Sequence, residues 1–128
     1  LQPYVVCGEP HSAGWLDGVG TQARLSTPYQ GVFVKNPDYA GKKDEYDFYF
    51  TEQYNHDIRI LTPEGKVTTF AGRGSSSIDL NPYGQREGGG RAEARVYQPK
   101  GLAYDSTNHV FYVGDANNRC IRKISLEN

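Results

Sequence analysis

The sequence predicts an all-β fold built from short antiparallel strands. Ten Tyr and five Phe accompany many Val and Ile, and these side chains favour strands. Fifteen Gly and seven Pro supply the sharp turns that short strands need. The same strand signals also occur twice in the same order. With 37% hydrophobic residues in a chain of 128, there is enough apolar surface for the core of one domain.

An internal repeat organises the chain. Ala-Arg-Leu at positions 23–25 recurs as Ala-Arg-Val at positions 94–96, 71 residues later. Further along, the offset falls to 63 residues, which indicates a loop insertion, Asn36–Tyr46, in the first copy. The residues matched at the shorter offset are Tyr49, Asn55, Ile58 and Arg59, which recur as Tyr112, Asn118, Ile121 and Arg122.

Each copy contains runs of four to six β-forming residues bounded by turn residues, and we name these strands A to D in chain order. Between C and D, Pro63 presets φ and Gly65 accepts a positive φ, so a tight hairpin is expected. The predicted strands are A at Gly31–Val34 and Gly101–Tyr104, B at Phe48–Thr51 and Val110–Gly114, C at Asp57–Leu61 and Cys120–Ile124, and D at Lys66–Phe70, with Pro3–Cys7 as an upstream copy of D.

The turn between strands B and C has the same chemistry in both copies. It begins with an acidic residue and ends with Asn: Glu52 and Asn55 in the first copy, Asp115 and Asn118 in the second. A carboxylate can accept backbone N–H bonds, and Asn tolerates left-handed backbone geometry. We therefore expect these four residues to act as structural turn residues rather than in chemistry.

Four antiparallel strands in a unit of roughly 40 to 50 residues are typical of a β-propeller blade. The segment at positions 112–124, Tyr-Val-Gly-Asp-Ala-Asn-Asn-Arg-Cys-Ile-Arg-Lys-Ile, closely resembles the NHL repeat. So does the segment at positions 49–60, Tyr-Phe-Thr-Glu-Gln-Tyr-Asn-His-Asp-Ile-Arg-Ile. The resemblance covers nearly the whole chain, and it implies β-propeller blades of four antiparallel strands.

The resemblance implies that residues 1–128 are part of an NHL β-propeller, an incomplete ring of about two blades. Residues 1–8 would be an orphan outer strand of a preceding blade. Residues 31–72 would form the first repeat, and residues 101–128 a second, C-terminal repeat that lacks its own outer strand. Two completions stay open: the remaining propeller blades belong to a longer protein, or identical chains complete the ring by exchanging strands.

The style of the repeats, including the ending Ile124–Asn128, resembles the C-terminal blades of bacterial cell-envelope proteins in which an IPT/TIG module precedes the NHL repeats. This resemblance implies a location in the cell envelope or outside the cell. It also favours a glycan as the ligand.

The charge of the chain limits its partners. A net charge of -1 supplies no overall field that would draw it to nucleic acid or to an anionic membrane. No run approaches the roughly 18 apolar residues that cross a bilayer. We therefore expect no nucleic-acid partner and no membrane insertion by this segment. An RNA-binding NHL domain, which needs a basic face, is the least favoured function.

The sequence contains no constellation typical of catalysis. His11, His56 and His109 lack metal-ligand spacing, and no nucleophile elbow or phosphate-binding loop occurs. The Asp-Glu-Tyr-Asp run at positions 44–47 indicates a solvated loop. We expect no catalytic residue, no metal and no cofactor. The alternative is a metal-dependent lactonase or lyase of propeller type whose remaining site residues lie in missing blades.

The sequence thus favours a non-catalytic binding or scaffold module for protein or carbohydrate. In the propellers that it resembles, the D-to-A and B-to-C connections emerge on one face around the central channel. Aromatic rings there offer flat faces to a ligand, and polar side chains supply directional bonds. Trp15 and Tyr97 could instead hold their connectors against the blades. The candidate ligand-binding residues are Trp15, Arg24, Tyr29, Gln30, Tyr54, Arg95, Tyr97, Gln98, Lys100 and Asn117.

Overall fold

The structure is a computed structural model that describes residues 3–72 and 95–127. Within these ranges every strand pairs antiparallel, and the helical segments are 3-10 turns of three residues each. The all-β prediction is confirmed. Residues 1, 2 and 128 of the predicted units lie outside the described ranges.

The first sheet, which we call blade one, contains five strands in the order β1-β5-β4-β3-β2. Strands β2 to β5 match predicted strands A to D of the first copy, because each run of β-forming residues ends at a turn. Strand β1 has no counterpart in the sequence prediction, and it pairs with the outer edge of β5. The strands are β1 (Gly18–Val19), β2 (Pro28–Lys35), β3 (Tyr46–Glu52), β4 (Asp57–Leu61) and β5 (Lys66–Gly72).

The second sheet, which we call blade two, contains three strands in the order β6-β7-β8. They match predicted strands A, B and C of the second copy. The turn between β7 and β8 contains a 3-10 segment, Ala116–Asn118. The strands are β6 (Pro99–Asp105), β7 (Val110–Asp115) and β8 (Cys120–Ser125).

Both blades start their first strand in the same way. Pro28 of β2 lies opposite Glu52, and Pro99 of β6 lies opposite Asp115; the register then shifts within the next three residues of each strand. Proline lacks the N–H that a regular ladder would use, so it suits such an irregularity. The starts of β2 and β6 therefore lie beside the β3–β4 and β7–β8 turns, and we call this end of the sheets the loop end.

The two blades pack face to face through an apolar core. Phe111 of blade two has no exposed surface. Its ring centroid lies 4.8 Å from that of Tyr49 and 5.2 Å from that of Phe70, both in blade one. Aromatic pairs at such distances stabilise a fold beyond the area that they bury. The remaining buried members of this core are Val34, Ile58, Ala71, Leu102, Val113 and Ile124.

Two polar contacts also join the blades near the loop end. The Thr51 hydroxyl donates to the Lys100 carbonyl at 2.7 Å, and the Gln98 N–H donates to Nδ1 of His56 at 3.0 Å. The His56 ring is buried and packs edge-on against Tyr97, with centroids 5.3 Å apart. Burial lowers the pKa of His56, against a raising effect of Asp115. A neutral His56 is therefore part of the blade interface.

The two faces of each blade carry different residues. In each blade, the face that points away from the other blade is not covered by another strand of the described residues. In the repeat, Tyr112 stands at the position of Tyr49, and Phe48 stands at the position of Phe111. Tyr49 and Phe111 are buried against each other, whereas Tyr112 is exposed and Ile121 beside it is 71% exposed. Blade one therefore packs on blade two through surfaces whose equivalents at the two ends of the pair are not covered by another strand in the described ranges.

The outer face of blade one carries a row of aromatic rings that the connector before β2 covers in part, through Ala23 and Leu25. Phe33 is 67% exposed, and its centroid lies 5.0 Å from that of Phe48, which stacks 5.9 Å from Phe50. The Phe48 ring lies over Gly31, where an added Cβ would approach Phe48 Cζ to 2.3 Å. Only glycine fits there. Beside these rings lies a groove of about 270 Å³, also lined by Leu25.

The predicted orphan strand, Pro3–Cys7, does not pair with another strand in the described residues, and Tyr4 is 84% exposed. The outer strand of a blade forms its ladder hydrogen bonds with strand C of the same blade. Gly8, which follows it, has a φ of 84°, close to the 88° of Gly72 at the end of β5. The assignment of residues 1–8 to a preceding blade stays a prediction.

The insertion Asn36–Tyr46 is partly ordered by Asp47. The Asn36 amide and the Tyr39 hydroxyl donate to the two Asp47 oxygens at 3.0 and 2.9 Å. Burial, together with the hydrogen bond to Asp47, raises the pKa of Tyr39 to about 12. Asp47 is buried, so the expectation of a solvated run at positions 44–47 is wrong for this residue. The alternation of β3 turns it inward.

We predict that Phe111→Ala lowers the free energy of unfolding of the chain by about 3–5 kcal/mol, because it opens a cavity between the blades. Phe33→Ala is the matched control. Because that ring is mostly exposed in this chain, its removal should lower the free energy of unfolding by less than about 1 kcal/mol. Urea unfolding followed by circular dichroism measures both. Equal losses for the two variants would contradict the blade interface.

We also predict that stability falls when His56 becomes protonated. Its folded pKa lies below the ordinary value, so its contribution is present above about pH 6.5 and is lost as pH falls through the folded pKa. His56→Asn keeps an acceptor for the Gln98 N–H and tolerates the positive φ of 56°. As pH falls, the melting temperature of this variant should decrease less than that of the wild-type chain. His11→Asn, an exposed residue that also has a positive φ, should not.

Candidate binding face

A buried ion pair lies under the turn between β3 and β4. Arg59 Nη1 donates to Glu52 Oε1 at 2.7 Å, and neither side chain has any exposed surface. Glu52 Oε2 accepts from the Asn55 amide at 3.1 Å and from the Ser26 N–H at 2.8 Å. A carboxylate can stay buried when its oxygens are bonded this fully. Glu52 thus joins its own turn to the connector that precedes β2.

Blade two repeats this arrangement. Asp115 Oδ2 accepts from Arg122 Nη1 at 3.0 Å and from the Asn118 amide at 2.9 Å, and Oδ1 accepts from the Tyr97 N–H at 2.7 Å. Arg122 Nη1 also donates to the Arg95 carbonyl at 2.9 Å. We call each set a carboxylate–arginine clip. Its members are Glu52, Asn55 and Arg59 in blade one, and Asp115, Asn118 and Arg122 in blade two.

The clip of blade one also fastens the connector further upstream. Arg59 Nη2 donates to the Leu16 carbonyl at 2.9 Å, and Asn55 Nδ2 donates to the Gly14 carbonyl at 2.8 Å. Trp15 lies between these two bonded residues. The clip therefore holds the part of the connector that carries Trp15 at the loop end.

A second carboxyl group, that of Asp57, is buried beside the clip. Asp57 pairs with Glu52 across β3 and β4, and it has no exposed surface. Within the described residues no donor is aligned with either of its oxygens, although Trp15 and Glu52 lie next to it. Burial raises the pKa of Asp57 well above its usual range, and the Glu52 carboxylate raises it further, against the lowering effects of Arg59 and Trp15.

The starts of the two A strands bring three candidate residues together. The Lys100 Nζ lies 5.8 Å from the ring centroid of Tyr29, which is within cation–π range. Each of these residues directly follows the proline that opens its strand, so they occupy equivalent positions in the repeat. Gln30 is next to Tyr29, and its Oε1 accepts from the Leu102 N–H at 3.4 Å. We call Tyr29, Gln30 and Lys100 the inner cluster.

Two further aromatic candidates lie at the loop end of blade one. Trp15 is 40% exposed and Tyr54 is 52% exposed. Trp15 directly follows Gly14, whose carbonyl is bonded to Asn55, and Tyr54 directly precedes Asn55. We call Trp15 and Tyr54 the outer aromatic pair. In blade two, Asn117 is exposed in the corresponding turn.

The remaining candidates lie deeper or are engaged with the fold. Arg95 is 4% exposed, so its side chain is not offered at the surface of the described residues, and its role in ligand contact stays a prediction; its carbonyl accepts from Arg122 Nη1. Tyr97 packs on His56, as a ring that holds its connector would. Gln98 is half-buried with a φ of 51°. Arg24 Nη1 donates to two carbonyls of its own connector.

Sequence reasoning matched Arg59 with Arg122 but gave them no role. The signal was there, because both recur seven residues after the acidic turn residue. It missed the contact of His56 with blade two and the burial of Asp57. Neither follows from the repeat, since Arg119 and Cys120 stand at these two positions in the second copy.

Within residues 3–72 and 95–127, no three His, Cys, Asp or Glu side chains are grouped so that they could hold a metal ion. The same ranges contain no helix that is long and apolar enough to span a membrane.

The chain is similar to known proteins over most of its length, although no protein-family model matches it. NHL repeat-containing protein 2 of Bos taurus is 30% identical over 115 residues, which make up 89% of this chain and 14% of that protein. The chain therefore spans only about one seventh of the length of this relative.

Solved structures give higher identities. An auxiliary nutrient binding protein from Bacteroides ovatus ATCC 8483 is 51% identical, with a TM-score of 0.87, over 96% of this chain and 28% of that one. A Bacteroides thetaiotaomicron VPI-5482 protein provisionally named a phosphatase is 45% identical, with a TM-score of 0.88, over 98% of this chain and 27% of that one. The chain is thus a relative of NHL repeat-containing proteins and of these longer bacterial proteins.

Proposed function

We propose that the chain belongs to a non-catalytic binding module that recognises its ligand at the loop end of the blades. The observation that carries this proposal is the grouping of exposed aromatic and polar side chains at one end of both sheets. The inner cluster and the outer aromatic pair lie there, and they are the anchors that recognition needs. The two clips hold the connectors and turns that carry them, which lowers the entropy cost of binding.

We propose a carbohydrate as the ligand of this face, with a protein as the alternative. Tyr29, Tyr54 and Trp15 offer ring faces to a sugar, while Gln30 and Lys100 supply hydrogen bonds to hydroxyl groups. The similarity to a protein named as an auxiliary nutrient binding protein supports a ligand that a bacterium takes up. The same similarity supports a location in the cell envelope or outside the cell.

We further propose that more blades of the same kind cover the two end faces, so that the ring is completed by the rest of a longer protein. We expect these contacts to resemble the one between blades one and two, where Tyr49 meets Phe111. Tyr112 on one end face is equivalent to Tyr49, and Phe48 on the other is equivalent to Phe111. A face with Ile121 71% exposed is otherwise costly to leave in water. The greater length of the relatives supports this completion over an assembly of identical chains.

The rival function is an enzyme, and the specific observation in its favour is the similarity to the protein provisionally named a phosphatase. The two functions differ in a measurable way. A divalent metal ion bound in stoichiometric amount, together with hydrolysis of a lactone or phosphate ester that a chelator stops, would replace the binding proposal by the enzymatic one.

We predict that Tyr29→Ala and Tyr54→Ala each weaken glycan binding by the complete protein by about 1–3 kcal/mol, as loss of an aromatic anchor does. Titration calorimetry against a glycan panel measures the loss. Tyr46→Ala is the matched control, because this equally exposed ring lies at the opposite end of β3. A loss of the same size in the control, or none in either variant, would contradict the proposal.

We predict that Ile121→Lys lowers the melting temperature of the complete protein but hardly changes that of this chain alone. In the complete ring the lysine would be buried between blades without a partner. Glu127→Lys, which is exposed in a part of the chain beyond β8, is the control. If this chain alone sediments as a trimer that Ile121→Lys dissociates, identical chains complete the ring instead.

A further inference from the structure

Asp57 places a second carboxyl group where the clip of blade one can accommodate only one negative charge. Glu52 and Asp57 lie directly opposite each other on the same face of β3 and β4, and both have no exposed surface. Both oxygens of Glu52 already accept hydrogen bonds, from Arg59, Asn55 and Ser26. Two adjacent carboxylates cannot both be ionised cheaply in a buried site. One of them has to carry a proton, and the bonding of Glu52 leaves Asp57 as that one.

Arg59 cannot neutralise both groups while it holds the connector. Its Nη1 is bonded to Glu52 and to the Arg24 carbonyl, and its Nη2 to the Leu16 carbonyl and to Asp17. Its Nε has no hydrogen-bond partner within the described residues. Nε is therefore the donor of Arg59 left for an ionised Asp57, and because the guanidinium is a rigid fork, turning Nε toward Asp57 would move Nη1 and Nη2 away from the connector carbonyls.

We propose that Asp57 is a neutral carboxylic acid that keeps the clip of blade one closed, so that its ionisation loosens the connector carrying Trp15. In the closed state Arg59 donates hydrogen bonds to Glu52 and to the connector carbonyls. When Asp57 loses its proton, the guanidinium turns toward the new charge, and its bonds to Leu16 and Arg24 weaken. The proposal deepens the proposed function and rests on it for its biological meaning, since Trp15 is part of the loop end.

The groups around Asp57 set the direction of the pH response. Glu52 on β3 and burial favour the protonated form, whereas Arg59 on β4 and the Trp15 indole of the connector favour ionisation. His56 directly precedes Asp57, but its Nδ1 is directed at the Gln98 N–H of blade two. On the β5 side Asp57 meets the backbone of Gly72, where an added Cβ would come within 2.9 Å of the Asp57 Cβ.

Blade two provides an internal comparison. Cys120 lies opposite Asp115 at the register position that Asp57 has opposite Glu52. Its clip has the same carboxylate, asparagine and arginine, but no second carboxyl group in the ladder. We therefore expect the pH response to be confined to blade one and to the connector before β2.

The test follows Trp15, which is the only tryptophan of this chain. Its fluorescence is recorded for the folded chain between about pH 5 and about pH 9, a range that lies above the ordinary pKa of an aspartic acid. The variants are Asp57→Asn, which is always neutral and has the same shape, and Asp44→Asn, an exposed control in the insertion. Thermal unfolding is measured at each pH.

In the wild-type chain and in Asp44→Asn, the Trp15 emission should shift to longer wavelength as pH rises. The melting temperature should fall above about pH 7.5, beyond the range in which protonation of His56 lowers stability. The folded pKa of Asp57 lies above its unfolded value, so stability is fully present at low pH and is lost as pH rises. Asp57→Asn should show a flat emission curve and the higher melting temperature at alkaline pH.

An emission titration that persists in Asp57→Asn, or an Asp57→Asn chain that is less stable than wild type at alkaline pH, would overturn the proposal. A variant that fails to fold would do so too, because the neutral isostere is expected to be accommodated. No ligand enters these measurements. A failure to bind glycan would therefore leave this result unchanged, and a flat wild-type titration would not count against ligand binding.

Discussion

The architecture of the loop end depends on the buried carboxylate–arginine clip. Each clip joins the end of strand B and the first half of strand C to the connector that enters the blade, which is distant from them in sequence. Removing the carboxylate or the arginine would leave a buried charge without its partner, which lowers the free energy of unfolding by about 3–5 kcal/mol. That is a large share of the stability of a small domain. The clip therefore ties the position of surface residues such as Trp15 to the integrity of the blade.

The two clips also explain why both blades present their turns in the same orientation. Glu52 and Asp115 lie opposite the prolines that open β2 and β6, so each clip fixes where the first strand of its blade begins. The blades then stack through unlike faces, Tyr49 of one against Phe111 of the next. Packing of this head-to-tail kind does not end by itself; it closes into a ring or continues. The exposure of Phe33 at the end of the aromatic row of blade one is consistent with that geometry.

Local chemistry made the strands, their order and the polar turns predictable from the sequence. Alternating β-forming residues and Gly, Pro or Asn at the turns act over a few residues, and strands A, B and C are found in both copies. Features that depend on tertiary contacts were not predictable. The burial of Arg95 is one such feature, and the bonding of the buried Asp47 by Asn36 and Tyr39 of the insertion is another. The inner cluster was found only as a set of separate candidates, since the contact of Tyr29 with Lys100 requires the two blades to be side by side.

The insertion between β2 and β3 lies at the opposite end of blade one from the loop end, because Lys35 and Tyr46 are the far ends of their strands. Its base is anchored by Asp47, whereas its tip at Gly41 has no atom within 4 Å of an added Cβ. Such a tip can change in length and composition without transmitting strain to the clips. It is therefore the place at which a dye, an affinity handle or a surface tether could be attached while the loop end stays unobstructed.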